Sequence, residues 1–186
     1  FKLSPNQKFL KKYLSENTNY NGILLYHGTG VGKTCSSISI AEQFGIIVEV
    51  TFFSSIYRDD YWEYCPFYAD NNINNTDRIE RIFVHTKRNG NLFKYQEAMV
   101  RKITNELNKY DNVIYEIQNE PWSDQEGELF LLNKTVIPSE EQKWYTKTNQ
   151  ASELSLKWQS AIAAIVHDEE SKLSKKHLVA QNFCNY

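Results

Sequence analysis

The chain has 186 residues, 41% hydrophobic and 14% aromatic, with a formal net charge of -2. That length suits one domain with a core of its own, and the near-neutral charge gives no general pull toward nucleic acid or anionic lipid. The longest apolar run, Ala161 to Val166, is too short to span a bilayer, so no membrane partner is expected.

In chain order, Ser4-Pro5-Asn6-Gln7 opens a helix. Ser4 can cap it, Pro5 suits the first helical position and Gln7 can complete a capping box. Phe9, Leu10, Tyr13 and Leu14 follow at helical spacing. Asn17 to Gly22 reads as a loop and Ile23 to Tyr26 as a short buried strand. A glycine loop follows, then a helix over Lys33 to Phe44. Ile46 to Phe53 is β-branched and aromatic and reads as a strand. Ser54 to Asn75 lacks a period and reads as a long loop. Leu92, Tyr95, Met99, Ile103 and Leu107 lie three or four apart and predict an amphipathic helix. Asn112 to Ile117 reads as the next strand, and Ser123 to Gln150 as a polar excursion with little pattern. Trp158, Ala161, Ile162, Ile165 and Val166 mark another helix, and Leu178 to Ala180 a last strand. From Ile46 onward, strands and helices alternate, which predicts parallel βαβ units.

The glycine loop is His27-Gly28-Thr29-Gly30-Val31-Gly32-Lys33-Thr34. In a phosphate-binding loop, glycines let backbone N–H groups turn toward phosphate oxygens at the positive end of the following helix. Gly30 and Gly32 supply that turn, Lys33 would neutralise β/γ-phosphate charge, and Thr34 would hold Mg²⁺. The strict pattern has Gly where this chain has His27. The cysteines Cys35, Cys65 and Cys184 and the four histidines show no metal-ligand spacing, so no protein metal site is expected.

Leu3 to Phe9, followed by Asn21 to Cys35, resembles the amino-terminal edge of the superfamily-2 helicases of large DNA viruses. The resemblance covers about residues 1 to 45. It implies ATP and Mg²⁺ as cofactors, nucleic acid as partner, and Gln7 as the glutamine that reads adenine. A helicase also needs a Walker B Asp-Glu at the end of a strand. The one candidate, His167-Asp168-Glu169-Glu170, continues the helical spacing from Trp158 and reads as the solvated end of that helix.

A second signature is Asn112-Val113-Ile114-Tyr115-Glu116-Ile117-Gln118-Asn119-Glu120-Pro121-Trp122, a strand running directly into Asn-Glu-Pro. Together with Glu49 to Phe53, Tyr57 to Trp62, Asn71 to Asn74, Gln96 to Ile103 and His177 to Asn182, it resembles strands three to five of a cellulase-like retaining (β/α)8 glycoside hydrolase. That resemblance runs from about residue 46 to 186. It implies Glu120 as general acid/base, Asn119 on a sugar 2-hydroxyl, an oligosaccharide or polysaccharide substrate and no cofactor. Trp122 is the aromatic platform best placed for a sugar ring, with Trp62 and Trp158 as further candidates, although Trp158 lies in a helical stripe and reads as core. Asp59, Asp60 and Arg58 read equally as cleft residues or as a solvated loop. No nucleophile strand is recognisable, so catalysis by this chain alone is not expected.

The expected fold is α/β, a partial (β/α)8 barrel segment of parallel βα units preceded by a phosphate-loop strand-helix unit. The two resemblances divide the chain into residues 1–45, helicase-like, and residues 46–186, glycoside hydrolase-like, with a sparsely packed seam near Gly45 to Val48. The larger part gives the first functional reading, and the alternative is an ATP-binding helicase segment using residues 27–34.

Overall fold

The structure is a computed structural model and describes residues 3–20, 22–24, 33–121, 129–131, 147–149 and 151–182. Among the described residues the α-helices are α1 (Pro5–Tyr13), α2 (Lys33–Gln43), α3 (Asp59–Trp62), α4 (Leu92–Leu107) and α5 (Glu153–Ser171), with a 3-10 turn at Arg81–Phe83. The strands described are β1 (Val48–Ser54), β2 (Val113–Asn119), β3 (Leu129–Leu131), β4 (Lys147–Asn149) and β5 (Leu178–Ala180).

Strands β1, β2 and β5 form one parallel sheet in that order, with Val50 opposite Tyr115 and Tyr115 opposite Val179. Parallel neighbours need a crossover, and α4 and α5 supply the two crossovers. The helices pack on each other and α5 packs on β2. Their buried side chains meet those of the strands in one core: Val100 of α4, Trp158 and Ile162 of α5, Phe52 of β1, and Tyr115 and Ile117 of β2.

This is an α/β fold with a three-stranded parallel sheet. A closed (β/α)8 barrel is not found. Closure takes about eight strands with matched tilt and stagger, whereas among the described residues β1 and β5 are the edges of an open sheet. The polar excursion is not featureless either. β3 and β4 pair antiparallel within it, Phe130 opposite Thr148.

The local expectation holds at the start of α1. Ser4 and Gln7 form the capping box, with Gln7 Oε1 accepting the Ser4 N–H at 2.9 Å and Ser4 Oγ accepting the Gln7 N–H at 3.3 Å. The expected strand at Ile23 to Tyr26 is not seen where it is described: Ile23 and Leu24 are outside any strand, and Leu24 is 89% exposed. Leu25 and Tyr26 lie outside the described residues.

At the seam expected near Gly45 to Val48, Phe44, Ile46 and Ile47 are exposed, while backbone turns and one side chain tie it to its neighbours. Helix α2 ends in a Schellman turn: Gly45 takes φ +66, its N–H reaches the Glu42 carbonyl and the Ile46 N–H reaches the Ala41 carbonyl. The Asn112 side chain donates to the Ile46 carbonyl at 2.9 Å, and the Val48 N–H meets the Asn112 carbonyl at 2.7 Å. Ile38 of α2 is fully buried in the core shared with β1 and β2. Ser39 hydroxyl and Tyr110 hydroxyl lie 3.0 Å apart, buried.

Candidate functional site

The first candidate site lies at the carboxyl ends of β1 and β2. The parallel register sets Ser54 beside Asn119, so the residues that follow each strand emerge side by side. Glu120, half-buried, takes φ +49, the left-handed region that non-glycine residues rarely occupy. Ser55 faces this turn. Its hydroxyl lies 2.8 Å from the Asn119 carbonyl and 2.6 Å from the Glu120 carbonyl, and its proton serves both.

Behind Ser55 the support is buried. Gln118 Nε2 donates to Ser55 Oγ at 3.0 Å and to His85 Nδ1 at 3.1 Å. An amide nitrogen only donates, so His85 Nδ1 is an acceptor. The His85 ring sits against Trp158 and Phe53, at centroid distances of 4.9 and 5.6 Å. In front, the Asn119 side-chain nitrogen donates to the Tyr57 hydroxyl at 3.3 Å. Thus the structure joins Asn119 and Glu120 to Tyr57, which the sequence read only as the start of the Tyr57 to Trp62 stretch, and to Ser55, which the sequence did not single out. The usable signal was parallel pairing, which sets the ends of the two predicted strands level.

The other residues read from sequence for this site divide. Trp62 is buried over Ile56, Val84 and Leu92 and donates to the Ile79 carbonyl, so it is not a sugar platform. Trp158 is fully buried, as its helical stripe implied, and donates to Gln96 Oε1 at 3.0 Å. Trp122 lies outside the described residues. Arg58 pairs with Asp60, and Arg81 pairs with Asp59 while also donating to the Ile56 carbonyl. Glu116, four residues before Glu120, accepts from Thr51 Oγ1 on one oxygen and from Asn182 on the other.

The second candidate site is the start of α2. Lys33 and Thr34 are its first two residues, where a helix presents N–H groups with no intrahelical partner. Gly28, Gly30 and Gly32 lie outside the described residues. A mainly apolar cavity of about 370 Å³ opens beside Thr34 and Cys35, walled by Val50 of β1 and by Met99 and Ile103 of α4. Gln7 is buried at the start of α1, and its amide oxygen is engaged by the Ser4 N–H.

The acids considered for Walker B lie on α5, as their spacing implied, and not on a strand. Asp168 pairs with Arg101 at 2.6 Å and Lys172 at 2.9 Å, and Glu169 with Arg101 at 3.1 Å. Hydrogen bonds from Lys172 and then Arg101 hold the Asp168 carboxyl below the usual carboxylate range. Arg101 does the same for Glu169. Glu170 departs from the solvated-end reading, because it is fully buried against His177. Among the described residues no cluster of His, Cys, Asp and Glu could hold a metal ion.

No known protein family and no solved structure matches the chain. Short matches exist to viral proteins. Two are proteins of Acanthamoeba polyphaga mimivirus provisionally named ATP-dependent RNA helicases, 49% identical over 49 residues and 53% identical over 38. A third is a provisionally named helicase of Invertebrate iridescent virus 3, 44% identical over 42 residues. These matches cover 26%, 20% and 23% of this chain, and 4%, 7% and 4% of the relatives. None of the three is named a glycoside hydrolase. The chain therefore contains a segment similar to viral helicases, and it spans less than a tenth of the length of those relatives.

Proposed function

We propose that residues 1–45 are the nucleotide-binding start of a superfamily-2-type helicase, and that this is the function of the chain. The observation that carries the reading is the local identity of 44–53% to proteins named helicases, over stretches about as long as this unit. Gly30 and Gly32 would turn backbone N–H groups to the phosphates of ATP, Lys33 would neutralise them, and Thr34 would ligate Mg²⁺. The start of α2 at Lys33 supports that assignment, since it puts a cation, a hydroxyl and the positive helix end together. Bound Mg²⁺ would offset phosphate charge. Gln7 fits the adenine role less well, because its amide oxygen already serves the capping box. Nucleic acid would be the partner of a helicase of this type, whose motor activity needs parts beyond residues 1–45.

The test is equilibrium binding of ATP·Mg²⁺ to the purified chain and to Lys33→Ala, with phosphate release followed in parallel. Weak binding that falls at least tenfold in the variant is expected, with no hydrolysis above background. Equal binding by both proteins would reject the assignment.

A second reading is favoured by one observation, the left-handed Glu120 held at the carboxyl end of a parallel strand. Backbone strain of this kind clusters at functional sites, and α/β folds bind ligands at the carboxyl ends of their strands. Under this reading residues 46–186 are a glycoside hydrolase-like segment. Glu120 is the general acid/base, Asn119 and Trp122 bind the sugar, and no cofactor is needed. Titration of the chain with cellotetraose should give binding that weakens in Glu120→Gln. Identical titrations for the two would reject it.

A further inference from the structure

We propose that the cavity between α2, β1 and α4 is a binding site for a neutral, apolar molecule of two fused rings carrying one hydrogen-bonding group. The inference stands apart from both readings above. The cavity has a volume of about 370 Å³. Its walls come from three elements: Cys35 from the first turn of α2, Val50 from β1, and Met99 and Ile103 from α4. All four are half-buried, packed against the main core and lining the cavity with the surface that remains.

The walls set the first requirement. Ligand pockets are mostly apolar with a few placed polar groups, and burying a ligand's hydrocarbon surface there is favourable. An apolar cavity of about 150 Å³ takes one benzene ring, so this one has space for two fused rings. Charge sets the second requirement. Lys102 and Glu106 border the cavity one turn apart on α4, with Lys102 Nζ 3.4 Å from Glu106 Oε1. The two charges offset each other, which leaves no net charge to hold a charged ligand. Together they still offer a donor and an acceptor to one polar group. A purine suits these walls poorly. Its hydrogen-bonding atoms run around the whole ring edge, and those set against Val50, Met99 and Ile103 would lose water without gaining partners.

Met99 is the single methionine of the chain, so methyl-labelled methionine gives the intact protein one resonance, in the cavity wall. The experiment titrates the labelled chain at pH 7 with 2-naphthol, naphthalene-2-sulfonate and adenosine. 2-Naphthol should shift the Met99 methyl in a saturable, one-to-one manner, because an aromatic ring displaces the resonance of a methyl beside it. Naphthalene-2-sulfonate and adenosine should each bind about tenfold more weakly, the cost of burying polar groups without partners. Glu106→Gln frees the Lys102 charge, so the sulfonate should gain about threefold in that variant, the worth of one exposed ion pair, while 2-naphthol keeps its native affinity. Ile103→Phe fills the cavity and should abolish the shift. A Met99 methyl unmoved by 2-naphthol would overturn the proposal, as would a native shift in Ile103→Phe folded with the native thermal midpoint. Should Ile103→Phe fail to fold, the Glu106→Gln arm decides, and an unchanged preference for 2-naphthol over the sulfonate there would overturn it. Adenosine binding as tight as that of 2-naphthol would make the cavity a nucleoside site instead. A Met99 resonance that moves with protein concentration alone would make its occupant a second copy of the chain, and either result would also overturn the proposal.

Discussion

The Glu170 carboxylate holds His177 at two points, the ring Nδ1 through one oxygen and the backbone N–H through the other at 3.0 Å. The second ring nitrogen faces the Tyr110 carbonyl at 2.7 Å. The carbonyl only accepts, so Nε2 carries a proton, and a second proton lies between Nδ1 and the Glu170 oxygen in a buried hydrogen-bonded pair. The two side chains are 4% and 0% exposed. Asn108 and Lys176 add donors around Glu170. The pair fastens the end of α5 to the start of β5, and through Tyr110 to the segment entering β2.

Removing one member leaves the other polar group buried without its partner. Glu170→Ala or His177→Ala should each destabilise the chain by about 3–5 kcal/mol, the usual cost of breaking a buried pair. The double variant should cost clearly less than the sum of the two. Urea denaturation of the three variants measures this, and additive losses would contradict the pairing.

Tyr115 makes the opposite prediction. It is fully buried in the middle of β2, and among the described residues its hydroxyl has no hydrogen-bond partner. Burial, and then the nearby Glu170 charge, push its ionisation well above the usual tyrosine range. An unfolded tyrosine titrates near about pH 10. Above that pH the unfolded chain loses this proton while the folded chain keeps it, so folding stability drops as pH rises past about 10. Tyr115→Phe should raise stability at pH 7 by about 1 kcal/mol, by removing an unsatisfied hydroxyl. It should also flatten the alkaline decline. Denaturation midpoints at pH 7 and pH 11 check both effects, and a destabilised variant at pH 7 would show that the hydroxyl is satisfied.

Much of the fold is legible in residue patterns that act locally. The Ser4–Gln7 box and the three parallel strands follow from capping chemistry and apolar runs. Helix α4 shows where such reading slips. Its apolar residues suggest a stripe through Tyr95, Met99 and Ile103, yet the fully buried line runs through Leu92, Gln96, Val100 and Thr104. Gln96 belongs inside because it accepts from Trp158 and from Asn89 and donates to the Val84 carbonyl. No hydropathy pattern carries that information. The candidate site divides in the same way. Asn119 and Glu120 are visible as a motif, whereas Ser55 and Tyr57 join them only through sheet register.

Helix α2 should behave as part of the main core. Ile38 is fully buried among residues of β1, β2, α4 and α5, and Asn112 ties the following turn to β2. Ile38→Ala should cost about 2–5 kcal/mol through lost burial and the cavity left behind. The loss should appear in one cooperative transition, with the same midpoint by tryptophan fluorescence and by circular dichroism. The tryptophans lie outside α2, so fluorescence reports on the rest of the core. A fluorescence midpoint unmoved by the substitution would mean that residues 1–45 fold independently of the remainder.

The Glu120 backbone offers a test that needs no ligand. A left-handed conformation costs an ordinary residue roughly 1–2 kcal/mol that glycine does not lose. Glycine gives some of that back through the greater freedom of its unfolded chain. Glu120→Gly should therefore leave stability unchanged or raise it by up to about 1 kcal/mol. Ser55→Ala should do the reverse. It removes the hydroxyl that Gln118 donates to and that holds both carbonyls of the turn, so Gln118 keeps one partner fewer in a buried place. A loss of about 1–3 kcal/mol is expected. If the clasp exists to hold Glu120 in its strained conformation, Ser55→Ala should cost less in the Glu120→Gly background, where the turn no longer needs holding. Urea midpoints for the native chain, both single variants and the double variant complete the cycle. Equal costs of Ser55→Ala in the two backgrounds would mean that Ser55 supports Gln118 and the core, and that the left-handed turn holds its shape without it.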